Sequence, residues 1–361
     1  MKHTSRKSLS AKSAERAASL SAVPAPESAD VSAAAPESAD VSAAAPESAP
    51  VAGSTPFSPL ASPRATRRVL EQHGLYAKHR LGQNFLVDDA VIGKILALAQ
   101  PRAHTSLLEV GPGIGTLSLA LLQQHCQLIA IEKDDDLLDV LASTCALYEN
   151  AMHVYHSDAL RVDAASLQAF CKARNIPQPA ALVANLPYQI AATLVLQYFE
   201  DMPQLERMTV MVQSEVACRM AAKPHDKLYG AYSAKLALYA APAGSFVVKP
   251  SSFMPAPHVT SQVIALQRHA PADLVCDGEL RRRVCVLIDA AFAQRRKTLV
   301  NCLSAAGIAP DAARACLREM QLAPAIRAEV LCAAQFVELY ARLHTHGALD
   351  SFSLGGRALK E

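Results

Sequence analysis

No stretch of this 361-residue chain approaches the roughly 18 consecutive apolar residues that a membrane-spanning helix needs, although 51% of its residues are hydrophobic. A soluble protein is therefore expected. The N-terminus is basic (Lys2, Arg6, Lys7, Lys12, Arg16) but lacks the leucine-rich run of a secretory signal, so no export is implied. None of the nine cysteines stands in a CxxC pair or at metal-ligand spacing. They read as small buried hydrophobes in a reducing compartment, not as a zinc site or a disulfide framework. Net charge is scarce too: 35 basic against 33 acidic residues leave +2, which argues against a protein that simply coats a polyanion. Before Phe57 there is no aromatic residue and no isoleucine, and residues 25–50 hold the ten-residue repeat APESADVSAA twice, followed by APESAP. Such a segment cannot bury enough apolar surface to offset the entropy of ordering it, so residues 1–63 are expected to be a disordered, dispensable tail.

The rest of the chain is patterned. From Leu107 onward, strand-like runs at 106–110, 127–131, 151–156, 180–184 and 208–212 alternate with helix-period stretches such as Leu117, Ala120 and Leu121, then Leu137, Leu138 and Leu141. That alternation predicts an α/β fold: a mostly parallel, Rossmann-like sheet with helices on both faces and a ligand site at the carboxyl ends of the strands. From about Ala270 the strands stop. Helices are predicted over 279–306, 310–320 and 325–343, with Gly307 and Pro310 as breakers. The expected organisation is a tail (1–63), a Rossmann-like domain (64–269), a small C-terminal all-α domain (270–344) and a flexible end (345–361). Base is concentrated in two places. Arg64, Arg67, Arg68, Lys78 and Arg80 face one acid, Glu71; Arg281, Arg282, Arg283, Arg295, Arg296 and Lys297 face Asp289. Both clusters fit a footprint for phosphates, and both fit ordinary solvated helix faces.

Four strand ends in succession carry polar groups. LLEVGPGIGTLSLALL (107–122) runs a strand through Gly111, Gly113 and Gly115 into a helix, a turn in which glycine lets the backbone approach a ligand. The GxGxG spacing differs from the GxGxxG of dinucleotide sites, and Glu109 would repel a pyrophosphate while suiting a cationic or zwitterionic cofactor. Taken alone, the glycines equally fit a plain strand-to-helix turn. Glu132 ends the next strand, where a carboxylate can accept two ribose hydroxyls. Asp158 ends the third, within reach of an adenine amino group, and Asn185 opens NLPYQIA after the fourth.

The set resembles the class I S-adenosylmethionine-dependent methyltransferases, and NLPY is similar to the [NDS]-[PL]-P-[YFW] motif of enzymes that methylate exocyclic amines of bases. KHRLGQNFL (78–86), MVQSEVACRMAAKP (211–224), YGAYS (229–233), SSFMPAPHVTSQV (251–263) and FAQRRKTLVN (292–301) resemble, in order, the blocks of the small-subunit ribosomal RNA adenine dimethyltransferases, from about Tyr76 to Leu343. The resemblance implies S-adenosylmethionine as methyl donor, no metal, and two adjacent adenosines near the 3′ end of small-subunit rRNA as the target. It also implies an immature small subunit as partner, no membrane, and a cytoplasmic monomer. It assigns amine activation to Asn185 and the Leu186 carbonyl, rigidity to Pro187, and base clamping to Tyr188 and Phe253. Cofactor contacts fall to Asn84, Leu86, Gly111, Glu132, Asp158 and Asn185, and RNA phosphates to Arg295, Arg296 and Lys297 on a helix face. Gln189 departs from the family, whose members often have Asn after NLPY. A large-subunit rRNA methyltransferase of the macrolide-resistance type shares the chemistry, and an RNA-binding assembly factor with little catalysis shares the fold. The intact NLPY and cofactor acids argue against the factor. Glu109 and the GxGxG spacing argue against a nicotinamide oxidoreductase.

Overall fold

The computed structural model describes residues 55–76, 83–270 and 277–349, together with 353–354 and 357–358. Residues Thr55–Glu361 form one unit. Of the expected tail, 1–54 lie outside the described residues, as do Lys78 and Arg80. Residues 55–63 do not behave as a tail. The Phe57 and Ser58 N–H groups donate to the Asp89 carboxylate at 3.1 and 2.9 Å, and Ala61 packs in a buried cluster with Ile92. Phe57, the first aromatic of the chain, marks the point where apolar surface becomes worth ordering.

Helix α1 (Pro63–Gln72) starts where Ser62 accepts the Ala65 N–H and proline occupies the first turn. β1 (Phe85–Leu86) and α2 (Asp89–Ala99, capped by Asp88) follow. The repeating part then runs β2 (Ser106–Val110), α3 (Thr116–Leu122), β3 (Gln127–Glu132), α4 (Leu138–Thr144), β4 (Met152–His156), α5 (Ala164–Ala173), β5 (Ala181–Asn185), α6 (Ala191–Asp201) and β6 (Arg207–Gln213). All five predicted strands are present within a residue or so of their expected bounds. β2 is buried along its whole length, as a strand covered on both faces must be.

Besides β1 and the short pair at 353–354 and 357–358, three strands were not among the predicted runs. After α7 (Ser214–Ala221) and α8 (Ala231–Leu236) come β7 (Ala240–Val248), β8 (Phe253–Met254) and β9 (Ser261–Arg268). The seven-stranded sheet is ordered β4-β3-β2-β5-β6-β9-β7, with β9 antiparallel to both its neighbours and the other pairs parallel. β7 gives a poor sequence signal because it is an edge strand: it carries Pro242 and Gly244, a bulge between Pro242 and Ser245, and an exposed middle. β8 pairs with β1, which places Leu86 opposite Phe253.

The C-terminal helices are α9 (Gly278–Phe292), α10 (Leu299–Ala305), α11 (Pro310–Glu319) and α12 (Ala333–Thr345). Leu287, Leu299, Leu317 and Phe336 belong to the same buried cluster as Ile264 and Leu236 of the sheet and its covering helices. Tyr229 of YGAYS ties the two parts by donating to the Leu331 carbonyl at 2.8 Å. The helix predicted over 279–306 is in fact broken. Thr298 adopts an extended conformation and caps α10, and the Leu299 N–H bonds the Ile326 carbonyl at 2.8 Å. Neither proline nor glycine marks the break; packing of Leu299, Val300 and Leu303 sets it. The last predicted helix likewise begins later, at Ala333, after a short 3-10 turn at Ala328–Val330. Within the end expected to be flexible, Ser353–Leu354 pairs antiparallel with Arg357–Ala358.

Candidate active site

β2 has β3 on one side and β5 on the other, so the strand order reverses there and leaves a crevice beyond the carboxyl ends of the parallel strands. A cavity of about 340 Å³ opens at that place. The expected residues Asn84, Leu86, Gly111, Glu132, Asp158, Asn185, Leu186, Pro187 and Tyr188 all line it. Ladder register explains the convergence: residues 101 apart in sequence, Asn84 and Asn185, meet when the Asn185 Nδ2 donates to the Asn84 carbonyl at 3.2 Å. The Asn185 Oδ1 has no partner among the described residues.

The backbone closes tightly here. Gly111 has φ +68°, and a Cβ at that position would lie 3.6 Å from the Pro187 ring. Gly115 has φ +87° and leaves 3.1 Å between such a Cβ and both Cys145 and Thr144. Each conformation disfavours any other residue, so the glycine turn is required by geometry as well as by ligand access.

The acids differ in how they are held. Glu132 is buried, and its Oε1 accepts the N–H groups of Lys133 and Asp134, both at 2.8 Å. Burial raises its pKa, while those two backbone donors oppose the rise. Asp158 accepts the Leu160 N–H at 3.1 Å and Lys133 Nζ at 2.7 Å; the Lys133 hydrogen bond leads in holding its carboxyl below the usual range. Glu109 is almost completely buried, accepts the Ser118 hydroxyl at 2.6 Å, and is pushed up to about 8 by desolvation. At neutral pH it is an uncharged acid, so the repulsion of phosphate expected of it does not operate in that form.

Tyr188 is half-buried, and its hydroxyl shares a 2.6 Å hydrogen bond with that of Ser261 at the start of β9. The ring is thereby fixed by a strand that sequence patterning did not reveal. Ser261, Lys133 and Gln83, whose Nε2 donates to Asp134 at 2.8 Å, are site-forming residues without a predicted role of this kind. The EKD that follows β3 was the available signal for Lys133. Phe253 stands apart from the expectation. It is 4% exposed, packs with Leu86 and Val248, and does not line the cavity, because its pairing with β1 turns it into the core.

Arg295, Arg296 and Lys297 are exposed, but they sit in the turn between α9 and α10 and not on a helix face. Their freedom from intrahelical pairs therefore comes from the break. Arg295 donates to the Lys227 carbonyl at 2.8 Å. Arg295 and Lys297, with Arg219, Lys227 and Arg327, border a second cleft of about 420 Å³, where Glu215 and Glu329 are the acids. In the neighbouring cluster, Arg282 and Arg283 are bound to Glu279 and not left free. Among the described residues, no three His, Cys, Asp or Glu side chains gather as a metal site, and no helix is long and apolar enough to cross a membrane.

Known proteins resemble this chain in sequence and in fold. The sequence profile of the family described as "Ribosomal RNA adenine dimethylase" matches residues 74–345. The "Ribosomal RNA small subunit methyltransferase A" of Magnetococcus marinus is 42% identical over 271 residues, covering 75% of this chain and 93% of that protein. That of Rhodococcus opacus is 40% identical over 287 residues, covering 78% and 94%. A dimethyladenosine transferase from Plasmodium falciparum superposes with TM-score 0.60 at 21% identity, covering 73% of this chain and 98% of that one, and shows the same fold.

Proposed function

We propose that this chain, which belongs to the ribosomal RNA adenine dimethylases, transfers methyl groups from S-adenosylmethionine to N6 of two adjacent adenosines near the 3′ end of small-subunit rRNA, two to each. The reading is supported most by one observation: Asn185, at the end of β5, spends its amide N–H on Asn84 and keeps Oδ1 for another donor inside a cavity that also holds Glu132 and Asp158.

The cavity residues fit the methyl donor. The backbone at Gly111 allows close approach, Glu132 accepts ribose hydroxyls, and Asp158 accepts an adenine amino group, with Asn84 and Leu86 closing one side. Bound there, the cofactor supplies an electrophilic methyl group on a sulfonium. The residues of the chain prepare the other reactant. An adenine amino nitrogen is weakly nucleophilic because its lone pair is delocalised into the ring. Asn185 Oδ1 and the Leu186 carbonyl accept its two N–H groups, which favours a pyramidal nitrogen whose lone pair points at the methyl. Positioning and electrostatics carry the acceleration. Pro187 stiffens the turn. Tyr188, anchored through Ser261, offers its face to the extruded base, a stacking contact worth roughly 1–3 kcal/mol. Once methylated, the nitrogen releases one proton to solvent and keeps one N–H for one acceptor, so the wall near Gln189 must also admit a monomethylated amine. Arg295, Arg296 and Lys297 hold RNA phosphates and thereby set register without reading sequence. The protein acts as a cytoplasmic monomer on the immature small subunit.

The test is transfer of label from S-adenosylmethionine to unmodified small and large ribosomal subunits offered separately. Label in small-subunit RNA is expected. No transfer, or transfer to large-subunit RNA alone, contradicts the reading.

A further inference from the structure

Helix α1 lies before residues 74–345, the span that the family profile matches, and its two faces differ sharply. The inner face buries Thr66, Val69 and Leu70, the latter two clustering with Phe85, Ile114, Leu137 and Val140. Two of those partners, Phe85 and Leu137, line the cofactor cavity, so the helix is packed onto its wall. On the outer face, Arg64, Arg67 and Arg68 are exposed at spacings of three and four residues, which places them side by side.

Among the other described helices most arginines at the surface find acids: Arg219 with Glu215, Arg282 and Arg283 with Glu279, Arg314 with Asp311, Arg342 with Glu338; Arg318 is the exception. The three on α1 have no ion-pair or hydrogen-bond partner among the described residues, although Glu71 stands at suitable helical spacing. An ordinary solvated helix face would be expected to use it, as the other helices do. Tyr76, just past the helix, is 87% exposed, a large aromatic with no packing role. Clustered arginines on the wall of a methyl-donor cavity, followed in the chain by an open aromatic ring, match the chemistry of a nucleic-acid strand: phosphates for the guanidinium groups and a base for the ring.

We propose that the outer face of α1, Arg64, Arg67 and Arg68, together with Tyr76 just past the helix, is an RNA-binding surface that grips the strand flanking the target adenosine. The proposal rests on the RNA-methylating function given above. Since the same helix packs on Phe85 and Leu137, the RNA held there is delivered next to the cofactor.

The experiment uses the full-length chain carrying R64Q/R67Q/R68Q, with unmodified small subunits as substrate. Glutamine keeps helix propensity near that of arginine, so the thermal melt and the affinity for S-adenosylmethionine should match wild type. The affinity for RNA should fall about tenfold at physiological salt. The plot of log affinity against log salt should become shallower by about two, from three lost phosphate contacts at roughly 0.7 each for a single strand. The triple Arg→Lys variant should recover most of the affinity, and Tyr76→Ala should weaken binding roughly fivefold or more with the salt slope unchanged. If wild type and the glutamine variant bind RNA equally with the same slope, the surface assignment is wrong while the methyltransferase reading stands. If wild type neither binds nor methylates the subunit, both fall together.

Discussion

The cavity at the strand ends and the basic turn at Arg295–Lys297 are built on opposite plans. In the cavity the polar side chains at three strand ends are committed to the backbone: Glu132 to two N–H groups, Asp158 to the Leu160 N–H, Asn185 to the Asn84 carbonyl. At the turn the charges are exposed, and Arg295 alone makes a fixed contact, to the Lys227 carbonyl. Chemistry at an amine needs acceptors held within tenths of an ångström before the substrate arrives. Holding a polyanion needs charge density and tolerates movement. The first region should therefore fail abruptly when one atom is changed, and the second gradually as charges are removed.

The largest effect expected is at Asn185. Asn185→Ala should lower kcat by about two to three orders of magnitude, the cost of losing one preorganised acceptor, while RNA affinity stays within about twofold. Single-turnover transfer alongside filter binding separates the two. Glu132→Gln should come next. It alters a carboxylate whose bonds to a bound ligand are charge-assisted, so calorimetry should read S-adenosylmethionine affinity down by roughly 10- to 100-fold with RNA binding unaffected. Tyr188→Ala should reduce kcat/KM by roughly 5- to 150-fold through lost stacking, and Tyr188→Phe should keep most of it while loosening the ring from Ser261. Replacing Arg295, Arg296 and Lys297 together by Ala should raise KM for the subunit, leave kcat nearly intact and make the salt dependence of binding shallower by about two. A kcat loss as large as that of Asn185→Ala would erase the contrast between the regions.

A separate effect, read on stability and not on activity, belongs to Glu109, which sits in the cavity wall but has its charge suppressed. Well below pH 4.5, the acid is protonated in both folded and unfolded chains. As pH rises toward about 8, the unfolded group ionises while the folded one keeps its proton, so stability declines across that window and levels off above it. Glu109→Gln keeps a neutral group there and should flatten that part of the pH–stability curve, as read from denaturant midpoints at pH 5, 7 and 9.

The same contrast explains what could be read in the sequence. Four of the five parallel strands were legible because strands buried on both faces are continuous apolar runs, and the polar residue that ends each run lands at the carboxyl edge by register alone; the edge strand β4, only part buried, gave a weaker run. β7 was not legible, because an exposed edge strand with Pro242 and Gly244 has neither the run nor the alternation of a strand. The burial of Phe253 could not be read in the sequence because its direction depends on the pairing of β8 with β1, contacts more than 160 residues apart along the chain. The break before α10 left no Gly or Pro, only the tertiary demand of Leu299 and its neighbours. Arg295, Arg296 and Lys297 were thus identified by type but set in the wrong local structure.

The most direct measurement is nucleoside mass spectrometry of small-subunit RNA after incubation with the protein and S-adenosylmethionine. The account predicts N6,N6-dimethyladenosine at two adjacent positions near the 3′ end, formed by wild type and absent with Asn185→Ala. Monomethyladenosine as the final product, methylation at another site, or an unchanged yield from Asn185→Ala would contradict it.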